Sequence, residues 1–148
     1  LRRIANLLDD EDRFLLGTDL IKDRETLEAA YDDSKGVTAA FNKNVLRVLN
    51  ERLGANFAPR AFEHVARWDA DNLWMDIRLR SMRHQVVDIA DLDLQVAFAG
   101  GEEMRTEIST KFARPGLEGI YAEAGRVISD WWTDAEGMYA LSLSRAAR

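Results

Sequence analysis

The sequence predicts a mixed α/β fold, and three patterns carry that prediction. Residues 14–21 form a mostly apolar run of strand length, which is typical of a strand buried on both faces in an α/β layer. Apolar side chains recur at helical spacing over residues 24–31 and 40–54. Over residues 62–112 apolar and polar side chains alternate, as they do in half-buried strands.

The opening third of the chain predicts three helices around that apolar strand. Residues 1–8 have helical spacing with no capping residue before them, so we expect a chain cut out of something longer. A polar turn at residues 9–13 leads into the strand, and a helix at residues 24–31 follows it. The third helix spans residues 40–54 and ends on Gly54, a residue suited to a helix C-terminus.

The middle of the chain predicts four strands in an antiparallel meander. They are expected at residues 62–68, 73–82, 85–98 and 102–112. Small and polar residues at 69–72, and the pair Gly100 and Gly101, suit tight turns between neighbouring strands.

The end of the chain predicts a helix and a hairpin. The helix at residues 114–125 has Pro115 near its start and Gly125 at its end. Residues 126–144 form a hairpin that turns at the tetrapeptide DAEG. Because a single strand cannot stand alone, we expect this hairpin to pair with residues 14–21.

Composition limits the classes of function. A length of 148 residues with 47% hydrophobic side chains suits one domain, or one compact unit of a larger protein. The net charge of -6 argues against a nucleic-acid partner. With no cysteine and two histidines, no metal ligand set is assigned. There is no apolar run of about 20 residues and no signal-peptide pattern, so we expect a soluble cytoplasmic protein with no membrane partner.

One stretch of the predicted sheet could bind a small polar ring. In the strand at residues 102–112, Glu107 and Ser109 share one face, while Met104, Thr106 and Ile108 take the other. An ionised carboxylate only accepts hydrogen bonds, whereas a hydroxyl can donate or accept, so the pair could hold a ring bearing N–H groups. From pattern alone, such a pair more often faces water.

The chain carries no common catalytic motif, and no catalytic residue is assigned. It lacks G-x-S-x-G, H-E-x-x-H, G-x-G-x-x-G and the P-loop. His64 has no second histidine or carboxylate at ligand spacing, so we expect it to be structural.

Four motifs, taken together, resemble the histidine-specific S-adenosylmethionine-dependent methyltransferase family. They are LLGTDLIKD, AAYDDSKGVTAAFNKNVLRVLNERLGANF, GEEMRTEISTKF and WWTD. The resemblance covers nearly all of the chain in order. It implies the C-terminal part of a class I methyltransferase fold with an inserted antiparallel-sheet substrate domain, which is α/β as a whole and α+β as an isolated fragment.

The resemblance also implies how the chain is divided. Residues 1–30 correspond to the C-terminal part of the methyltransferase core. Residues 31–112 correspond to the substrate-binding insert, and residues 113–148 to the closing helix and terminal hairpin.

The family's binding residues can be carried over position by position. Tyr31 resembles the tyrosine that holds the substrate carboxylate, and Thr38 matches a threonine that reaches the imidazole through water. Glu107 and Ser109 match the pair that bonds the imidazole ring, in agreement with the strand geometry above. Ile77 falls where the family can place a methionine against the ring, a change between apolar side chains of similar volume.

The resemblance implies an enzyme that methylates the α-amine of histidine toward ergothioneine. The segments that bind S-adenosylmethionine and the substrate amine would precede Leu1, so no cofactor-binding residue is assigned here. We expect these residues to be the substrate-binding half, inactive when isolated and part of a monomer at full length. Two other interpretations stay open: a non-catalytic module that binds a small ligand such as an amino acid, and a fragment with a purely structural origin.

Overall fold

The computed structural model describes residues 1–147, which form two compact units. One unit comprises Leu1–Lys22 together with the segment from Thr110 onward, and the other is Asp23–Ser109. Both contain helices and antiparallel strands, which confirms the mixed α/β class. No helix in the described part of the chain is long and apolar enough to cross a membrane.

Four α-helices and eight strands occur in residues 1–147. The helices are α1 (Arg2–Ala5), α2 (Arg24–Tyr31), α3 (Val37–Leu53) and α4 (Arg114–Ala122). The strands are β1 (Phe14–Asp19), β2 (Phe62–Asp69), β3 (Trp74–Ser81), β4 (Gln85–Ile89), β5 (Leu94–Phe98), β6 (Glu103–Thr110), β7 (Arg126–Thr133) and β8 (Tyr139–Ala146).

The first unit is built on a three-stranded antiparallel sheet in the order β1-β8-β7. The predicted terminal hairpin is confirmed, and so is its pairing with the early strand: Leu16 lies opposite Ser142. On the face that carries Ser142, the Tyr121 hydroxyl of α4 lies 2.9 Å from the Ser142 hydroxyl. Both side chains are fully buried, so α4 covers this face of the sheet.

The prediction that β1 is buried on both faces is wrong. Thr18 is buried, but Leu15 on the other face is 56% exposed. Within residues 1–147, β1 pairs with β8 at the edge of a three-stranded antiparallel sheet. The opening helix is also shorter than predicted and ends at Ala5.

A buried lysine fixes the end of β1. Lys111 Nζ lies 2.8 Å from Asp19 Oδ2, and its side chain is fully buried. Lys22 pairs with the other oxygen of the same carboxylate. Burial alone would raise the pKa of Asp19, but the hydrogen bonds from Lys111 and Lys22 outweigh it and hold that pKa below its usual value. Asp19 is therefore a charged anchor where β1 ends.

The second unit has a three-stranded sheet in the order β2-β3-β6. Strands β2 and β3 are antiparallel, with Ala66 opposite Ile77. The Ser81 amide donates to Glu102 O at 2.8 Å, and Thr106 Oγ1 donates to Ile77 O at 3.1 Å. The residue numbers rise along β6 while those of its partners in β3 fall, so the two strands are antiparallel.

The predicted four-strand meander is wrong, because residues 85–98 do not form one strand. They form β4 and β5, which pair with each other as a separate two-stranded ribbon. A 3₁₀ turn at Ala90–Leu92 and the left-handed backbone of Asp93 (φ 47°) reverse the chain between them. Aspartate tolerates that conformation better than most residues, so the turn needs no glycine. The alternating pattern of residues 85–98 therefore does not show where the chain reverses.

The core of the second unit lies between α3 and the strands. Every second residue of β3 is buried, and Leu46 of α3 packs into the same cluster as Leu79. Phe62 and Phe98 meet edge to face with ring centroids 5.4 Å apart, and Phe57 packs against both rings. This cluster holds α3 against the sheet, which positions the residues described next.

Paired charges cover part of this sheet. Glu103 accepts two hydrogen bonds from Arg67, at 2.7 and 2.9 Å, and two from Arg80, at 2.9 and 3.0 Å. The hydrogen bonds from Arg67 have the largest effect on the pKa of Glu103, and burial opposes them. Together with the bonds from Arg80, they lower this pKa to about 2. Asp76 pairs in the same way with Arg105 at 2.8 Å. The charges here are matched within the sheet itself.

Candidate functional site

The structure brings two of the predicted binding residues into contact. The Tyr31 hydroxyl lies 2.8 Å from Ser109 Oγ, although the two residues are 78 positions apart in the chain. Tyr31 is the last residue of α2, and Ser109 lies near the end of β6. Either hydroxyl can donate in this bond, because each carries one hydrogen and can also accept.

Ile77 lies in the apolar interior of the second unit. It is 2% exposed and forms a cluster with Leu27 of α2 and Met75 of β3. Tyr31 packs against the same cluster. Ile77 therefore belongs to the cluster against which Tyr31 packs, and its proposed contact with a substrate ring stays a prediction.

Thr38 lies in the first turn of α3, where an aspartate caps the helix. Asp33 Oδ1 accepts from the Thr38 amide at 2.8 Å, and Oδ2 accepts from the Val37 amide at 3.0 Å. Both hydrogen bonds lower the pKa of Asp33, to about 2, and the bond from the Thr38 amide has the larger effect. The spacing of apolar residues predicts that α3 begins at Ala40, but the helix begins at Val37. The cap by Asp33 explains the earlier start.

Glu107 is exposed and lines a shallow cavity of about 280 Å³ between α3 and β6. The other lining residues are Phe41, Asn42, Asn44, Val45, Val48 and Thr106. Strand alternation had placed Thr106 and Glu107 on opposite faces, yet both border this cavity. A carboxylate beside apolar side chains and amides suits a small ligand with N–H donors.

All five predicted residues thus lie in the unit formed by Asp23–Ser109. Tyr31 and Ser109 touch, and Ile77 belongs to the buried cluster against which Tyr31 packs. Thr38 lies at the start of α3, and Glu107 lies in the cavity beside that helix. Their roles in binding stay predictions.

Two neighbours of this site cannot be identified from the pattern of residues. Phe41 belongs to the apolar residues at helical spacing in α3, yet it is 71% exposed beside Glu107. His64 was assigned no role, yet its ring lies 2.7 Å from the backbone oxygen of Tyr31. Helical and strand periodicity identify a face of an element but not what lies next to it, so neither neighbour could be found from pattern alone.

Among the described residues, one α-helix begins at a glycine in the left-handed conformation: α3, at Gly36 (φ 68°). This helix start does not fit an S-adenosylmethionine site. The Val37 and Thr38 amides that would face a ligand there already donate to Asp33. We assign the cofactor no partner in residues 1–147. In the same range, no group of three or more His, Asp or Glu side chains is placed to hold a metal ion.

Replacing Asp33 by Ala is expected to destabilise the protein at neutral pH, because the amides at the start of α3 lose their acceptor. A lowered carboxyl pKa contributes stability above the unfolded value of 3.8, and that contribution is lost as the pH falls through about 2. The difference in urea midpoint between wild type and Asp33→Ala should therefore be present at neutral pH and shrink toward pH 2.

Asp32→Ala, at the exposed neighbouring residue, is the matched control. An equal difference between wild type and Asp33→Ala at both ends of this pH range would show that the carboxylate does not cap α3.

Comparison with known proteins adds a family relationship. The sequence profile of the family described as "Histidine-specific methyltransferase, SAM-dependent" matches residues 1–146. A histidine N-alpha-methyltransferase from Mycolicibacterium smegmatis is 50% identical over 144 residues, which is 97% of this chain and 45% of that protein. A protein of the same name from Mycobacterium tuberculosis is 46% identical, with the same coverage.

More distant relatives also match. The N-methyltransferase fsqC from Aspergillus fumigatus is 28% identical over 94% of this chain and 37% of its own length. The solved structure of the CcbJ methyltransferase from Streptomyces caelestis covers 99% of this chain and 51% of that chain, at 12% identity and a TM-score of 0.36, which is too low to relate the folds. The chain thus spans about half the length of the curated relatives it matches.

Proposed function

This chain belongs to the histidine-specific, S-adenosylmethionine-dependent methyltransferase family, and we propose that it is the substrate-binding part of an enzyme that methylates the α-amine of histidine. On the same relationship we propose that the product serves ergothioneine synthesis in the cytoplasm and that the full-length protein is a monomer. The cofactor binds outside residues 1–147, and the isolated chain is inactive.

The observation that carries this proposal is the 2.8 Å contact between Tyr31 and Ser109. The family resemblance selected these two residues from distant parts of the sequence as substrate ligands. Their hydroxyls meet in the unit that also contains Thr38, Ile77 and Glu107. A shared location is what a binding site requires of residues that are far apart in the chain.

The family resemblance implies a role for each side chain, and the chemistry of the side chains suits these roles. The Tyr31 hydroxyl donates to the substrate carboxylate, and Glu107 accepts from an imidazole N–H. Ser109 bonds the same imidazole ring. Because the hydroxyls of Tyr31 and Ser109 are hydrogen-bonded to each other, a ligand that contacts both must either span this hydrogen bond or replace it. Thr38 reaches the ring through water. Holding both ends of the amino acid fixes its α-amine between them, and this orientation is the contribution of these residues to catalysis.

Specificity follows from the Glu107 contact. A substrate without ring N–H donors cannot form the hydrogen bond to the Glu107 carboxylate, and a hydrogen bond to a charged group is worth more than an average one. Phenylalanine should therefore be a poor substrate even though its ring is of similar size.

A methyl-transfer assay on the full-length protein tests the proposal. With S-adenosylmethionine as donor, histidine should be methylated. Histamine, which lacks the carboxylate, and phenylalanine, which lacks ring N–H groups, should each react at least about tenfold more slowly, since each loses a contact to a charged group. Histidine binding without turnover would favour the amino-acid binding module instead.

Calorimetry on the isolated 148-residue chain tests the remaining part. We expect no binding of S-adenosylmethionine. Micromolar binding would contradict the location of the cofactor outside these residues.

A further inference from the structure

A continuous set of side-chain hydrogen bonds runs behind the proposed substrate site. His64 on β2 places Nε2 2.7 Å from the Tyr31 carbonyl oxygen. Its Nδ1 lies 2.9 Å from Asn42 Nδ2 on α3. The same Asn42 nitrogen lies 3.1 Å from the backbone oxygen of Arg78 on β3. These three bonds join α2, α3, β2 and β3.

The direction of each bond is fixed by its carbonyl ends. Tyr31 O and Arg78 O can only accept, so His64 Nε2 must donate to the first and Asn42 Nδ2 to the second. The second hydrogen of the Asn42 amide points at His64 Nδ1, which must therefore accept. His64 is accordingly a neutral imidazole with its hydrogen on Nε2.

This arrangement satisfies a backbone group that a helix leaves without a partner. The last carbonyls of an α-helix have no donor within the helix, and Tyr31 is the final residue of α2. His64 supplies a donor there, and Asn42, which is buried and bonded to the β3 backbone, holds the His64 ring in place. The end of α2 is thereby fixed, with the Tyr31 hydroxyl facing Ser109.

We propose that His64 and Asn42 are positioning residues for the substrate site. They orient the last turn of α2, and through it they set the direction of the Tyr31 hydroxyl toward the substrate carboxylate. His64 does not line the cavity beside Glu107, whereas Asn42 does, and the role proposed for both is to hold the end of α2 in place. The inference rests on the proposed function, because Tyr31 is the ligand that the function assigns to the carboxylate.

Two substitutions at His64 separate its two bonds. Glutamine can place an amide nitrogen near the position of Nε2 and keep the bond to Tyr31. Asparagine reaches only the position of Nδ1 and loses that bond. In the full-length protein, His64→Asn should raise KM for histidine about three- to tenfold, the loss of one hydrogen bond. KM for S-adenosylmethionine should not change, and His64→Gln should restore most of the histidine affinity.

The same two substitutions at His84, the exposed second histidine, are matched controls and should leave both KM values unchanged. Equal KM values for histidine in His64→Asn and His64→Gln would overturn the proposal. So would parallel changes in KM for both substrates, because these would indicate a general loss of structure.

A measurement on the wild-type chain does not depend on activity or on the folding of a variant. Nitrogen-15 NMR of the imidazole rings should show His64 protonated at Nε2 and unprotonated at Nδ1, with His84 as an internal reference. A His64 hydrogen on Nδ1 would overturn the proposal.

The two proposals can fail separately. If wild type turns over histidine but the His64 variants behave alike, only the positioning role is wrong. If wild type does not use histidine, the proposed function is wrong, and the positioning role is then decided by the NMR tautomer. A shift of the Tyr31 ring signals in His64→Asn but not in His64→Gln would support that role, and equal shifts in the two variants would contradict it.

Discussion

Replacing Glu107 by Ala in the full-length protein is expected to lower kcat/KM for histidine about ten- to a hundredfold. A hydrogen bond between a carboxylate and an imidazole N–H is worth about 1.5 to 3 kcal/mol, which corresponds to that range. The loss should appear in the kinetics of histidine and leave KM for S-adenosylmethionine unchanged, because Glu107 lies in the cavity beside α3 and is proposed to face only the substrate ring.

Two variants make this result specific. Glu107→Gln keeps the size of the side chain and removes its charge, so it should fall between wild type and Glu107→Ala. Glu51→Ala removes another exposed carboxylate from α3 and should change nothing. An unchanged kcat/KM for histidine in Glu107→Ala would exclude Glu107 from the substrate site.

Replacing Phe62 by Ala is expected to cost about 3 to 5 kcal/mol of unfolding free energy, the largest effect on stability that we predict. Phe62 is fully buried and packs against Phe57 and Phe98, so its removal leaves a cavity and breaks two aromatic contacts. Urea unfolding, monitored by circular dichroism, measures the difference.

Phe41→Ala is the matched control for this prediction. It removes the same side chain from an exposed position, where a change of no more than about 0.5 kcal/mol is expected. If Phe62→Ala does not fold, Phe62→Leu, which retains most of the volume, should still be destabilised by about 1 kcal/mol. Similar losses for Phe41→Ala and Phe62→Ala would contradict the described core.

Local elements were predicted well where a single stretch of sequence decides them. The bounds of α2 agree with the prediction, since Asp23 caps its start and accepts from the Thr26 amide at 2.8 Å. The hairpin of β7 and β8 was also found, because its turn residues and both arms are contiguous in the chain. Caps, turns and periodicity act over a few residues and are visible in the sequence.

Pairing between strands was predicted less well. Residues 85–98 keep one alternating pattern, yet the left-handed residue Asp93 divides them into β4 and β5. Strand β1 has the composition of a doubly buried strand, yet one of its faces is exposed. Alternation states which side chains share a face, but not where the chain reverses or what covers that face.

The sequence by itself determined the family and the class of fold, because these depend on residue identity and local spacing. The five candidate binding residues came from the family resemblance, and their roles stay predictions. Only the tertiary structure decided that Tyr31 meets Ser109, that Ile77 lies in a buried cluster against which Tyr31 packs, and that His64 bonds the end of α2. The physical reason is that such contacts join residues tens of positions apart. They form only when α2 and α3 pack on the sheet and bring distant parts of the chain together. No local sequence pattern contains that information.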